Sequence, residues 1–463
     1  MIIWAGKLQI MKKIRFLFLF SFLLCAGYLH AQYTSDYDPV KYSSSGYKMS
    51  EATFNKKLKI PYNTSDPAMI KKFNQYLYIL YRSYATESKE KQFIEEAFIK
   101  NYLETILDIV TAKNGLKEEF EIVCTRYAVP NAFNMGDNKL YVNIGLLEQL
   151  ENEAQIAFML CHELSHQLLF HVQDAFIAEE KRAKDKAVKK QIRDINKAKY
   201  NKLDKTFQFV KNYNYDFAKY SRANERSADS MAVVLLQKTD YDLREGKGLM
   251  EILDHIDEDS TKIDYHTYFD KDSVSIKNEW IVGKKPALTF SKKKAIEFDK
   301  DSIKTHPNIP NRINMIDSQL LLIGYSHSGK KLFVQPKATF DSIVSVSKFE
   351  IIEAYQKRKR YAAVVYYGIR LLSAYPENKY LYKNISIALN ELSKAVKKHT
   401  VQNYIPIESD EDFSEGYNQL LRIIDRTTAE EFDALVKNFI TQYYSKISSY
   451  PEIQTIYNEL SKK

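Results

Sequence analysis

The segment His162-Glu163-Leu164-Ser165-His166 sets two histidines four residues apart, with a glutamate beside the first. On an α-helix that spacing puts both imidazoles on one face, where they can reach a single cation. Neutral imidazole suits Zn²⁺, and a hydrolytic zinc site takes three protein ligands and keeps one position for water. Glu163 projects beside such an ion. It could take a proton from an attacking water and pass it to the leaving nitrogen of an amide. A lone histidine is ordinarily packed or at the surface, and a lone glutamate is ordinarily solvated. In a chain with nine histidines, the three together at ligand spacing arise by chance in roughly one case in a hundred.

The third ligand follows by elimination. Positions 169 and 172, where a metzincin would carry glycine and histidine, are Leu169 and Val172. The alternative is a glutamate on a later helix, followed four residues on by an aspartate, and Glu225 with Asp229 fits that pattern. Glu225 is then the expected third ligand. Asp229 is expected to accept the second ring N–H of a ligating histidine, which fixes its tautomer. Two acids at i,i+4 repel each other mildly on a bare helix, so a shared cation gives the pair a reason to exist.

The elements that must hold these residues are legible around them. Asn152 is a good N-cap and Gln155 lies three residues on, so a helix starts here with a capping-box pattern. Ile156, Met159, Leu160, Leu164 and Leu168 form its buried stripe, and no glycine or proline interrupts it through His171. Upstream, apolar residues at helical spacing predict helices over 66–83 and 90–112, the second ended by Gly115. Phe120–Cys124, Asn131–Met135 and Lys139–Asn143 read as strands, the last two joined into a hairpin by Gly136-Asp137-Asn138. Downstream, 175–205 is a charged helical stretch with eleven Lys or Arg from Lys181 to Lys205 against three acids. Its apolar face is thin, which favours a solvated helix face over a membrane or nucleic-acid surface. A further helix holds Asn224–Asp229, residues 270–305 read as a polar loop, and a last helix runs from about His306 to Gly324.

A Ser/Gly/Lys-rich linker spans 325–335, and 340–463 is purely helical in pattern. There, Tyr355, Tyr361 and Pro376 fall where a tetratricopeptide repeat places its aromatics and closing proline, and Tyr382, Ile385 and Ser386 restart the pattern. Val364 and Leu371 stand where small residues are usual, so a generic helical bundle competes with the repeat. The expected fold is α+β and mostly helical: a zincin-like domain with a small sheet over 32–325, then an all-α, tetratricopeptide-like domain over 340–463.

Composition, 45% apolar and 27% charged, excludes a disordered chain. Met11-Lys12-Lys13-Ile14-Arg15, an apolar run from Phe16 to Ala26, and Leu29-His30-Ala31 read as a signal peptide over 1–31. Leu24 before Cys25 is too bulky for the usual lipobox. Removing the four basic residues of this segment takes the formal net charge from +9 to +5, too mild to argue for nucleic acid. The expected location is the periplasm, with secretion or peripheral membrane attachment as alternatives. No later run is apolar enough to span a membrane. Cys124 and Cys161 read as two buried thiols, with one bridge between them as the alternative in an oxidising compartment.

The chain resembles the zinc metallopeptidases that include HtpX and the CAAX prenyl proteases, over about 130–315. The resemblance rests on Asn131-Ala132-Phe133, Gly145-Leu146-Leu147, the HELSH segment plus His171, Ser221-Arg222 before Glu225-x-x-Ala228-Asp229, and Thr305-His306-Pro307 with Arg312-Ile313. It implies one zinc per chain on His162, His166 and Glu225, with Glu163 as base and His171 close behind the ligands. Asn131, Ala132 and Phe133 would form an edge strand that pairs with an extended substrate. His306 and Arg312 become candidates for substrate contact or oxyanion stabilisation, or for a structural helix-cap role. The membrane spans of the embedded members are absent. The chain is more similar to the soluble periplasmic branch with a tetratricopeptide-like C-terminal domain. The expected function is therefore an endopeptidase for extended or misfolded envelope polypeptides, with the helical domain recruiting substrate or an envelope partner. The alternative is a chaperone-like adaptor that retains the zinc site; an intact Glu163 speaks against it.

Overall fold

The computed structural model describes residues 35–40, 50–89, 93–95, 97–197, 222–255, 261–271, 274–282, 309–326, 329–332, 334, 336–405 and 414–461. The expected signal peptide, His306 and the far end of the basic stretch lie outside them. Two compact units emerge. One comprises 40–256 and 292–335, and the other 1–39, 257–291 and 336–463.

The first unit holds the sheet. Helices α1 (Glu51–Lys57) and α2 (Pro67–Lys89) lead to β1 (Phe93–Ile94), and α3 (Ala97–Asn114) follows. Then come β2 (Glu121–Thr125), β3 (Ala132–Asn134) and β4 (Lys139–Asn143), with the short α4 (Ile144–Leu147). Helices α5 (Glu153–Leu168), α6 (His171–Lys184), α7 (Lys186–Lys197), α8 (222–237), α9 (Glu245–Asp254) and, later in the chain, a helix over Ile309–Leu322 complete it. The strand order is β1-β2-β4-β3, with β2 and β4 parallel and the other pairs antiparallel. Two left-handed residues, Gly136 (φ 83°) and Asn138 (φ 61°), turn the β3–β4 hairpin. Gly145 is needed for a different reason: a Cβ there would sit 2.0 Å from the Ala128 carbonyl oxygen.

Two helices begin or end elsewhere than expected. The helix expected over 90–112 begins only at Ala97, because Phe93 and Ile94 pair with Thr125 and Cys124 as an edge strand. Both side chains are buried there, Phe93 against Val123 and Tyr141, so tertiary packing overrides helical periodicity. The helix that carries the histidines stops at Leu168 rather than continuing through His171. Phe170 takes a left-handed conformation (φ 57°), and a new helix starts at His171.

Helix α5 is buried at every position from Glu153 to Ser165 and packs on α3, α9, β3 and β4. The Asn152 side chain accepts from Gln155 N–H, while Gln155 Oε1 accepts from Glu151 N–H. A second clamp comes from the segment read as a linker. Lys331 O accepts from Ala154 N–H at 3.0 Å, and Val334 N–H donates to Glu153 at 2.7 Å. The same buried Glu153 carboxylate accepts the hydroxyls of Tyr102 (2.7 Å) and Tyr241 (2.6 Å). The open N–H groups and positive end of the helix are thus closed by distant chain, and 325–335 belongs to this unit.

Helices are the regular elements of the second unit among its described residues. It contains Tyr265–Phe269 and Asn278–Ile281. In chain order, α10 and α11 denote these two segments and α12 the Ile309–Leu322 helix of the first unit. Helices α13 (Lys337–Lys357), α14 (Tyr361–Leu372), α15 (Lys379–Lys397), α16 (Glu415–Arg426), α17 (Ala429–Ile447) and α18 (Pro451–Ser461) follow. Helices α14 and α15 approach so closely that a Cβ on Gly368 would meet Ile385 at 2.7 Å. Asn378 caps α15, and Thr428 with Glu431 forms a capping box on α17. Part of the stretch read as a polar loop docks here: Asn438 Nδ2 lies 3.0–3.1 Å from the carbonyls of Phe269, Lys271 and Val274. No helix is long and apolar enough to cross a membrane among the described residues.

Candidate metal centre

One turn of α5 presents His162 and His166 with their Nε2 atoms 3.1 Å apart. Helix α8 brings Glu225 opposite, with Oε2 3.4 Å from His162 Nε2 and Oε1 3.5 Å from His166 Nε2. Ligands about 2.0–2.2 Å from a tetrahedral zinc stand roughly 3.3–3.6 Å from one another, so this donor set fits the ion. These three residues are the cluster able to hold a metal among the described residues.

Different partners hold the far sides of the two imidazoles. His162 Nδ1 lies 2.8 Å from Asp229 Oδ1, one turn along α8 from Glu225. His166 Nδ1 lies 2.9 Å from His171 Nδ1, and His171 Nε2 lies 3.0 Å from Ser227 Oγ. Ser227 can donate in turn to the Asn224 carbonyl at 2.9 Å. The chain has one consistent direction: His166 Nδ1–H to His171, His171 Nε2–H to Ser227, Ser227 O–H to backbone. Burial lowers the His171 pKa, which favours the neutral ring this direction requires. The left-handed Phe170 creates the arrangement by turning His171 back toward the helix it follows. His171→Ala is expected to leave the fold intact and to weaken zinc binding by roughly 10-fold or more. Competition against a zinc-chelating dye measures it, and an unchanged affinity would remove the relay from the account.

Arg312, on α12, is buried with its guanidinium forked onto Asp229, Nε to Oδ2 and Nη2 to Oδ1, both at 2.7 Å. Its Nη1 also lies 3.1 Å from Glu225 Oε2. Burial alone would raise the Asp229 pKa, yet the Arg312 and His162 contacts hold it below the usual carboxylate value. Burial likewise opposes protonation of His162, but Asp229 and Glu225 overcome it and bring its pKa to about 10 in the metal-free chain. Metal ligation at Nε2 must therefore displace a proton.

Glu163 shares a cavity with His162, Arg312, Asn131, Ala132, Leu249 and Met250. Ala132 opens β3, the last strand of the sheet, which pairs with β4 on one side. The Phe133 ring lies on the other sheet face, stacked on Tyr141 at 4.9 Å, because side chains alternate along a strand. Thus the structure gathers His162, Glu163, His166, His171, Glu225, Asp229, Arg312, Asn131 and Ala132 around one centre, and turns the Phe133 side chain away from it. Sequence reasoning missed Ser227 and Glu153; the only signal for Ser227 was its place between Glu225 and Asp229. Cys124 and Cys161 are both free and buried, and burial pushes the Cys124 thiol up to about 12.

A helical His-Glu-x-x-His segment with a glutamate from a later helix, over a small sheet, defines the zincin class of metallopeptidases. Residues 99–320 match the model of peptidase family M48. The chain is also 27% identical over 154 residues to the mitochondrial metalloendopeptidase OMA1 of Schizosaccharomyces pombe. That match covers 33% of this chain and 43% of the relative.

Proposed function

We propose that this protein is a zinc-dependent endopeptidase that cleaves extended or misfolded polypeptides of the cell envelope, after export to the periplasm. The observation that carries the reading is the convergence of His162, His166 and Glu225 at zinc-ligand spacing with Glu163 lining the same cavity as the start of β3. Bound zinc would supply a Lewis acid that polarises a peptide carbonyl and acidifies water. Glu163 would take the proton of the attacking water on a carboxylate oxygen and hand it to the leaving nitrogen. Asp229 and His171 would keep the ligating rings oriented, and the backbone at Asn131–Phe133 would align an extended substrate by strand pairing. The helical unit, read as tetratricopeptide-like, would recruit substrate or an envelope partner.

Cleavage of an unfolded protein such as reduced casein tests this. Dialysis against a chelator is expected to reduce it to background, and stoichiometric Zn²⁺ to restore it. Cleavage that survives a chelator, by protein shown to be zinc-free, would place the activity elsewhere.

A further inference from the structure

The helical unit holds something that its own helices do not supply. Residues 36–40 have no regular secondary structure, yet Tyr37 is only 5% exposed. Its ring stacks on Phe349 with centroids 4.7 Å apart and planes 15° apart, and meets the edge of Tyr380 at 5.2 Å. Its hydroxyl donates to the carboxylate of Glu350, a side chain buried among the helices. Just before it, both carboxylate oxygens of Asp36 accept from the Tyr450 hydroxyl, at 2.9 and 2.7 Å. Lys383 Nζ stands over the rings of Tyr380 and Tyr450, at 5.1 and 4.9 Å.

We propose that this is a peptide-recognition slot for an aspartate followed by a tyrosine in extended chain, filled here in cis by Asp36–Tyr37. Each contact selects for chemistry rather than bulk. Offset and edge-on ring contacts favour an aromatic side chain. A buried carboxylate that accepts the phenol hydroxyl discriminates tyrosine from phenylalanine, since a site built around a hydroxyl strongly disfavours the analogue without one. The phenol donor of Tyr450 favours an ionised acid at the preceding position, because a hydrogen bond to a charged acceptor is the stronger kind. The pair reaches the slot from more than 300 residues away in the chain and lies in no helix, so its hold rests on these side chains. Being tethered, it occupies the slot at an effective concentration of order mM. A partner segment of the same acidic-aromatic chemistry would bind by displacing it.

The test uses the full chain and a labelled synthetic peptide of residues 34–40. Wild type, with its slot filled, is expected to bind the peptide weakly. Asp36→Ala/Tyr37→Ala, which empties the slot, is expected to bind it at least ten times more tightly. The same peptide with its tyrosine changed to phenylalanine is expected to lose tenfold or more of that affinity. Tyr37→Phe keeps the stacked ring and removes only the hydroxyl, so it serves if the double variant misfolds. It too is expected to bind the peptide more tightly than wild type. Folded variants, checked by circular dichroism, that bind the peptide no better than wild type would overturn the proposal and leave Tyr37 a plain core residue. Equal binding of the tyrosine and phenylalanine peptides would overturn the role of Glu350 as the selecting group.

Discussion

Glu163→Gln is expected to retain zinc and fold while losing roughly 10²- to 10⁴-fold in the rate of peptide cleavage, the usual contribution of a positioned general base. That is about 3–5 kcal/mol of transition-state stabilisation. Glutamine keeps the shape and the burial of Glu163, which is 3% exposed, so packing in α5 should not change. It cannot accept the proton. The donor atoms of His162, His166 and Glu225 are untouched, so zinc content should match wild type. The measurement is kcat on an unstructured peptide together with zinc content per chain, on the same preparations. A variant that holds zinc and cleaves within a few-fold of wild type would move the base to another group. A variant without zinc would show that Glu163 helps build the site, and a metal-restored assay would then separate the two roles.

The second large effect lies at Arg312. Its guanidinium forks onto Asp229, which is fully buried, and also faces Glu225. Arg312→Met removes the cation and leaves buried carboxylates behind, a change that typically costs about 3–5 kcal/mol. In a unit of this size that corresponds to a fall in melting temperature of roughly 10 °C. Arg312→Lys keeps the charge but not the fork, and is expected to recover only part of the loss. The pH dependence has a defined sign. Asp229 is held below its ordinary pKa in the folded chain, so its stabilising contribution is present above about pH 3.9 and is lost as pH falls through the lowered folded value. In Arg312→Met burial acts with less opposition and the folded pKa rises, which removes that contribution. Thermal melts between about pH 2 and 8 test this; an Arg312→Met protein as stable as wild type would show that the pair is not a structural clamp. Zinc affinity should fall with stability, because Asp229 also holds His162.

These two residues also mark how far the sequence alone could be read. The histidine pair on α5, the glutamate beside it, the Asn152 cap, the β3–β4 hairpin and the end of α3 before Gly115 depend on interactions within a few residues. Helical spacing, capping chemistry and left-handed turns are local rules, so they show in the order of residues. Glu225 and Asp229 could be chosen because their own spacing is again one helical turn. Other features join positions far apart in the chain, for which no local rule exists. The fork from Arg312 to Asp229 spans 83 residues and gives a buried ion pair to a residue that resemblance offered as a substrate or oxyanion contact or as a structural helix cap. The strand at Phe93–Ile94 exists only because β2 lies beside it. The left-handed Phe170 that swings His171 onto His166 breaks a run with no glycine or proline, so packing rather than propensity ends that helix. The stretch 325–335 has the composition of a linker, yet its backbone closes the N-terminus of α5. Hydrogen-bonding groups of the main chain are present at every residue and leave no mark in the sequence, so only the tertiary structure decides which of them meet.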